Sequence, residues 1–99
     1  MLGALSKASF AENLNTRFRA VLQDSTIIEI ELIEVVDGRS TPRQEQFSLI
    51  FRAPQNAPVE ERIYPLEHDT LGSGDLFLVP VARDDQGLYY QAVFNRLRN

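Results

Sequence analysis

Two apolar, aromatic-rich runs stand near the C-terminus, Leu76-Phe77-Leu78-Val79-Pro80-Val81 and Leu88-Tyr89-Tyr90-Gln91-Ala92-Val93-Phe94, with the polar stretch 82–87 between them. Two such runs around a polar turn ending in glycine predict a β-hairpin. Upstream, a period of two recurs. Phe18, Ala20 and Leu22 alternate with Arg17, Arg19, Val21 and Gln23; Ile28, Ile30 and Leu32 alternate with Glu29 and Glu31. Phe47, Leu49 and Phe51 share one parity of 44–52, and Tyr64, Leu66 and His68 share one parity of 62–68. Successive side chains of a strand point to opposite faces, so each segment predicts a strand with a buried face. Within 26–36 the alternation slips at Ile33, Glu34 and Val35, as a β-bulge would make it do. Pro65 predicts an edge strand, and Pro80 an edge, a bulge or a point of incomplete closure.

One segment has helical spacing. Ser9 and Glu12 have the offset of a capping box, and Phe10 and Leu14 fall on one face a turn later. They predict a short helix over 9–15 behind an N-terminal tail, 1–8. So short a helix is unstable alone, and its apolar face must pack on the sheet. Turn signals at 23–25, 37–42, 53–58 and 69–74 separate the strands. Together these elements predict a single mainly β domain over 1–99, with its β-rich core at 17–97. It is a small antiparallel β-barrel or sandwich of about six strands with one short N-terminal helix.

An antiparallel sheet with one wet face is apolar on one parity only. Here Ile27 and Ile33 oppose Ile28, Ile30 and Leu32, Ile50 opposes Leu49 and Phe51, and Tyr89 and Val93 oppose Tyr90, Ala92 and Phe94. The plainer account is that the helix and tail cover part of the second face, single exposed apolar residues being ordinary. The sharper account is an outer patch that meets another subunit or a partner, because one short helix cannot cover six strands. That account makes Ile27, Ile33, Ile50, Tyr89 and Val93 the contact residues, with Arg52 at the rim.

The 99 residues suffice for one hydrophobic core. Apolar residues make up 43% and charged residues 24%, which is ordinary for a globular chain. The formal net charge of -4 argues against nucleic acid as a partner, since such binding rests largely on cations that neutralise phosphates. Arg96 and Arg98 read as a solvated tail. Nine of the ten cationic residues are arginine, a bias compatible with protein contacts. Without cysteine there is no thiolate catalysis and no cysteine-ligated zinc. No run approaches the length of a membrane span, and 1–5 lack the features of a signal peptide, so the expected setting is the cytoplasm or a virion or tail-like particle.

No polar constellation carries a reaction. His68, the single histidine, stands between Glu67 and Asp69, whose side chains point to the opposite face of a strand. A structural histidine at a strand end is the plainer reading; a small ligand-binding or hydrolytic barrel using His68 and Tyr64 is the alternative. Gly72-Ser73-Gly74 has the wrong spacing and context for a nucleophile elbow and reads as a flexible turn. Asp69, Asp75, Asp84 and Asp85 lack the spacing of a calcium loop. Phe47, Phe51, Tyr89 and Tyr90 read as core rather than as base-stacking platforms. No cofactor and no metal is implied.

The ordered set Phe47-Ser48-Leu49-Ile50-Phe51-Arg52-Ala53-Pro54, Tyr64-Pro65-Leu66-Glu67-His68, Leu71-Gly72, Leu76-Phe77-Leu78-Val79-Pro80-Val81 and Tyr90-Gln91-Ala92-Val93-Phe94-Asn95 resembles a family of small bacterial and phage-associated domains of unknown function. The resemblance implies an accessory or structural partner of the tail-collar or fibre type and supplies no catalytic residues. Gln91 stands where an acidic residue is common in that family. The expected function is therefore a non-enzymatic module that forms a homo-oligomer or docks on a protein partner.

Overall fold

Alternating apolar positions become the lining of a closed antiparallel barrel, seen in a computed structural model that describes residues 2–97. Its strands are β1 (Arg17–Val21), β2 (Ile27–Asp37), β3 (Gln44–Ala53), β4 (Arg62–His68), β5 (Gly72–Asp84) and β6 (Gly87–Leu97). They close in the order β1-β2-β3-β6-β5-β4, two three-stranded meanders joined edge to edge. Phe18, Ile30, Leu32, Phe47, Leu49, Phe51, Leu66, Leu78 and Tyr90 point inward and are buried. Phe18 meets Phe51 edge to face at 5.2 Å, and Phe47 stacks on its cross-strand partner Phe94 at 4.6 Å. Such pairs add about 0.5–1.5 kcal/mol each beyond the area they bury.

The bulge expected at 33–35 is present, and of the three readings of Pro80 the bulge is the one found. The β2–β3 register shifts between Leu32 and Glu34, so Ile33 is the extra residue, and the β5–β6 register shifts between Pro80 and Ala82. Bulges sharpen the local twist, which helps a six-stranded sheet curl onto itself. The two closing seams are unequal. β3 and β6 pair from Gln44↔Leu97 to Ala53↔Leu88, whereas β1 and β4 share only Arg19↔Glu67 and Ala20↔Leu66. Pro65 is paired with Asp75 of β5, so β4 is an interior strand of a closed barrel and not an edge. The proline lies just beyond the short β1–β4 ladder, where a missing N–H donor costs little.

Each mouth of the barrel has its own plug. At one end the β3–β4 connection folds inward on Ala57, and two buried phenols hold it: Tyr64 donates to the Glu60 carbonyl at 2.9 Å, and Tyr90 donates to the Pro58 carbonyl. Burial pushes both phenols above their ordinary pKa, so they stay protonated donors. At the other end the N-terminal segment crosses the opening. Its first turn, Leu2–Ala4, buries Leu2, and α1 (Lys7–Ala11) places Phe10 against Phe94 and Phe47 at 5.5 and 6.2 Å. Arg96 lies over both Phe47 and Phe94, pairs with Glu45 at 3.1 Å and donates to the Gly3 carbonyl.

Those contacts correct four expectations. Of the N-terminal tail, residues 2–8 are docked on the barrel, with Leu2 buried against β5 beyond the end of its ladder with β6 at Val79↔Gln91. A Cβ on Gly74 would stand 2.7 Å from the Leu2 nitrogen, so the close approach requires glycine there. The helix begins at Lys7, two residues early, and ends at Ala11, with Ser6 rather than Ser9 as its cap: the Ser6 hydroxyl accepts from the Ser9 amide at 3.2 Å. That start turns Phe10 into the mouth and leaves Leu14 exposed rather than packed. Arg96 is a structural cap rather than part of a solvated tail; Arg98 lies outside the described residues. Finally, the turns are tighter than the polar residues suggest: the last hairpin pairs down to Asp84↔Gly87, and Gly72, Ser73 and Gly74 are already paired with β4.

Gly87 closes that hairpin with φ +156°, and a Cβ there would lie 2.2 Å from the Ala53 carbonyl oxygen. Gly87→Ala should therefore cost at least about 1–3 kcal/mol, lowering Tm by at least about 5 °C in a scanning calorimeter. Gly3→Ala, with open space around the new carbon, should stay within about 0.5 kcal/mol of the parent.

Candidate functional site

Apart from the two phenols, His68 is the one buried polar side chain among the described residues, and both of its ring nitrogens are engaged. Its Nδ1 accepts from the Thr70 amide at 3.0 Å and the Leu71 amide at 3.1 Å, which holds the β4–β5 turn. Two donors aimed at Nδ1 leave the ring proton on Nε2, which donates to the Thr16 hydroxyl at 2.8 Å. Thr16 passes its own proton to the Asn13 carbonyl at 2.6 Å. The ring lies 4.4 Å from Phe18, and burial holds its pKa below the ordinary 6.5 despite the neighbouring Asp69. A cleft of about 260 Å³ opens beside it, lined by Thr16, Arg17, Arg19 and Asp69, but these cations are paired with Glu29, Glu67 and Asp69. The histidine is neutral, fixed in one tautomer and spent on holding backbone.

The remaining polar residues hold structure as well. Asp84 accepts from the Gln86 amide at 2.8 Å and from the Tyr89 hydroxyl at 3.0 Å, contacts that draw its carboxyl below the usual range and tie the hairpin tip together. Asp75 sits inside β5 opposite Pro65, and Asp69 pairs with Arg19 at 2.9 Å. Phe47, Phe51 and Tyr90 are core, whereas Tyr89 is on the outside. Among the described residues no three His, Asp or Glu side chains converge in the manner of a metal site.

The outer surface is where apolar area remains without cover. Ile33, in the bulge, Ile50 and Val93 lie on neighbouring positions of β2, β3 and β6, with Arg52 opposite Tyr89 one step further along. Val93 is 68% exposed; Ile33, Ile50, Arg52 and Tyr89 are half-buried, and Arg52 is held by Glu31 at 2.8 Å. Ile27 is exposed but stands apart, paired with Val21 at the opposite mouth.

A stronger feature was missed on the sequence. Ile63 and Phe77 are direct cross-strand partners on the outside of β4 and β5, 59% and 54% exposed, with Val81 exposed further along β5. The signal was present: both occupy the parity opposite Tyr64, Leu66, Leu76 and Leu78, the buried positions of the same strands. Asp75, two residues before Phe77, and Glu60 and Glu61, just before β4, enter no ion pair among the described residues. Arg62, next to Ile63, and Arg83, two residues past Val81, likewise enter none, so the border of the patch carries both signs of charge.

A family model described as domain of unknown function (DUF6916) matches residues 5–94. The chain belongs to that family. No curated protein and no solved structure matches it. The family's span takes in the plug residue Phe10, all of β1 to β5, His68, Ile63 and Phe77, and β6 as far as Phe94.

If Ile63 and Phe77 serve no purpose in the fold beyond their mutual contact, Phe77→Thr, which replaces the aromatic by a β-branched strand former, should cost under about 1 kcal/mol. Phe51→Ala, on the buried parity, should cost about 3–5 kcal/mol. Urea unfolding of both variants measures the contrast.

Proposed function

We propose that this domain is a non-enzymatic docking module that binds a protein partner through the β4–β5 outer face, with Ile63 and Phe77 as its anchors. The observation that carries the reading is that pair: two large apolar side chains, direct cross-strand neighbours, half or more exposed on a strand pair whose other face is already the core. Together with Val81 they form the kind of patch that marks interaction sites. Asp75, exposed on the outward parity of Phe77, favours a partner that sets a basic residue beside its apolar surface over a second copy that would bring an identical carboxylate. Val93 and Ile50, on β6 and β3, belong to the same wet exterior and widen the surface a partner could cover. A fibre- or tail-type assembly is one such partner, suggested by family resemblance alone. The hydrolytic or ligand-binding alternative is the weaker one, because His68 has no free nitrogen to offer a substrate.

A photo-crosslinking residue in place of Phe77, in cells that produce the protein, should give a discrete adduct heavier than a dimer of the chain. Ile63→Asp in the same background should abolish it, and the same crosslinker at Arg39, in the loop between β2 and β3 on the far side of the barrel, should give none. An adduct of dimer mass would replace the basic partner by a second copy. Absence of any adduct, or adducts equal at both positions, would sink the docking proposal.

A further inference from the structure

The β1–β4 seam, where the barrel closes, is the weakest joint in the molecule, and a titratable side chain crosses it. Its ladder is two residue pairs long, against seven for β4–β5 and ten for β3–β6. Side chains do the remaining stitching. Arg19 of β1 reaches Glu67 of β4 at 3.6 Å and Asp69 of the following turn at 2.9 Å, and His68 of β4 reaches Thr16, just ahead of β1, at 2.8 Å.

We propose that this seam is an acid-sensitive gate, closed while His68 is neutral and released when a proton arrives on its Nδ1. In the closed barrel that nitrogen is the acceptor for two amides, of Thr70 and Leu71. A proton there would face two N–H donors, so a charged ring cannot keep this position and must turn out of it. Departure frees the 69–71 turn, with Leu71 that packs on the core, and removes the Thr16 link across the seam. Among the described residues, the polar links left between β1 and β4 are then Arg19 and two ladder pairs.

The charged groups around the ring leave this balance intact. Arg17 and Arg19 face it from β1, Glu29 from β2 and Asp69 from the turn, all lining the cleft beside it, while Glu67 precedes it on β4. Asp69 favours the charged ring, but burial, the largest influence, and Arg19 oppose it, and the folded pKa falls below 6.5. The sign follows. Below about pH 6.5 an opened seam binds a proton that the closed one refuses, so closure is complete at neutral pH and is lost as pH falls, by up to about tenfold per unit.

The test is amide hydrogen exchange on the intact chain from pH 7.5 to 5.2, corrected for intrinsic exchange. Protection of the amides in β1, β4 and the 69–71 turn should fall roughly tenfold more than that of the β3–β6 amides. His68→Asn keeps a side-chain acceptor near the turn amides without a titrating ring, and its seam protection should not depend on pH in this window. Equal loss of protection at both seams, or an acid response that survives in His68→Asn, overturns the gate. Should that variant fail to fold, ¹⁵N shifts of the wild-type imidazole decide: a folded pKa at or above 6.5 overturns it, and one below 6.5 with a protonated Nε2 upholds it.

Discussion

Closing an antiparallel sheet onto its own first strand is the constraint on which this structure turns. An open sheet of these six strands would leave β1 and β4 as bare edges, with unpaired backbone groups ready to template aggregation. Closure removes both edges, yet the chain provides only two residue pairs at that joint. Much else compensates. Bulges at Ile33 and Val81 bend β2 and β5 so that the ends can meet. Arg19 and His68 bridge the joint with side chains where main-chain pairing stops. The strong β3–β6 seam, carrying the stacked Phe47 and Phe94, holds the two halves together meanwhile.

A narrow barrel also has two open ends, and small proteins lose apolar burial fastest there. The chain fills one end with its own connection, fixed by the hydroxyls of Tyr64 and Tyr90, and the other with Leu2 and Phe10. Arg96 completes the second plug by doing two tasks with one group: its face lies over the Phe47 and Phe94 rings while its edge binds Glu45 and the Gly3 carbonyl. An arginine so placed shields apolar rings with the flat side of a weakly hydrated cation, which a lysine could not do equally well.

The strands were legible in the sequence because a half-buried strand writes its burial into alternate positions. Tyr64, Leu66 and His68 gave β4 its bounds, and the slip at Ile33, Glu34 and Val35 gave the bulge. Pro65 misled because proline reports only a missing donor; it cannot tell an edge from a gap inside a closed ring. The helix was misplaced because Ser6 and Ser9 both make sound N-caps, and the choice is made by where Phe10 must land in the mouth, a tertiary matter. Arg96 could not be read from its neighbours, since what makes it structural is Glu45, distant in sequence. For the exterior, Phe77 sits in a run that is apolar on both parities, so its exposure cannot be told from burial, and Ile63 shares its parity with Pro65 and Glu67, so nothing short of the β4–β5 register shows that the two are neighbours.

The docking face and the weak seam meet on one strand, which raises the question of whether each would disturb the other. β4 begins near Ile63 and ends at His68, so it carries an anchor at one end and the latch at the other. Its attachments are lopsided: seven pairs to β5, two to β1. When the seam parts, β4 stays with β5 because the longer ladder holds, and Ile63 stays opposite Phe77 because that pair belongs to the ladder that is kept. The apolar patch would ride unchanged on the β4–β5–β6 half, while β1 stays paired with β2 and turns its other edge to solvent. Opening therefore alters which backbone edges are offered, those of β1 and β4, without altering the side chains presented at the patch. A partner bound through Ile63 and Phe77 would not feel the state of His68 through direct contact, and any coupling between the two must pass through the β1–β4 edge itself.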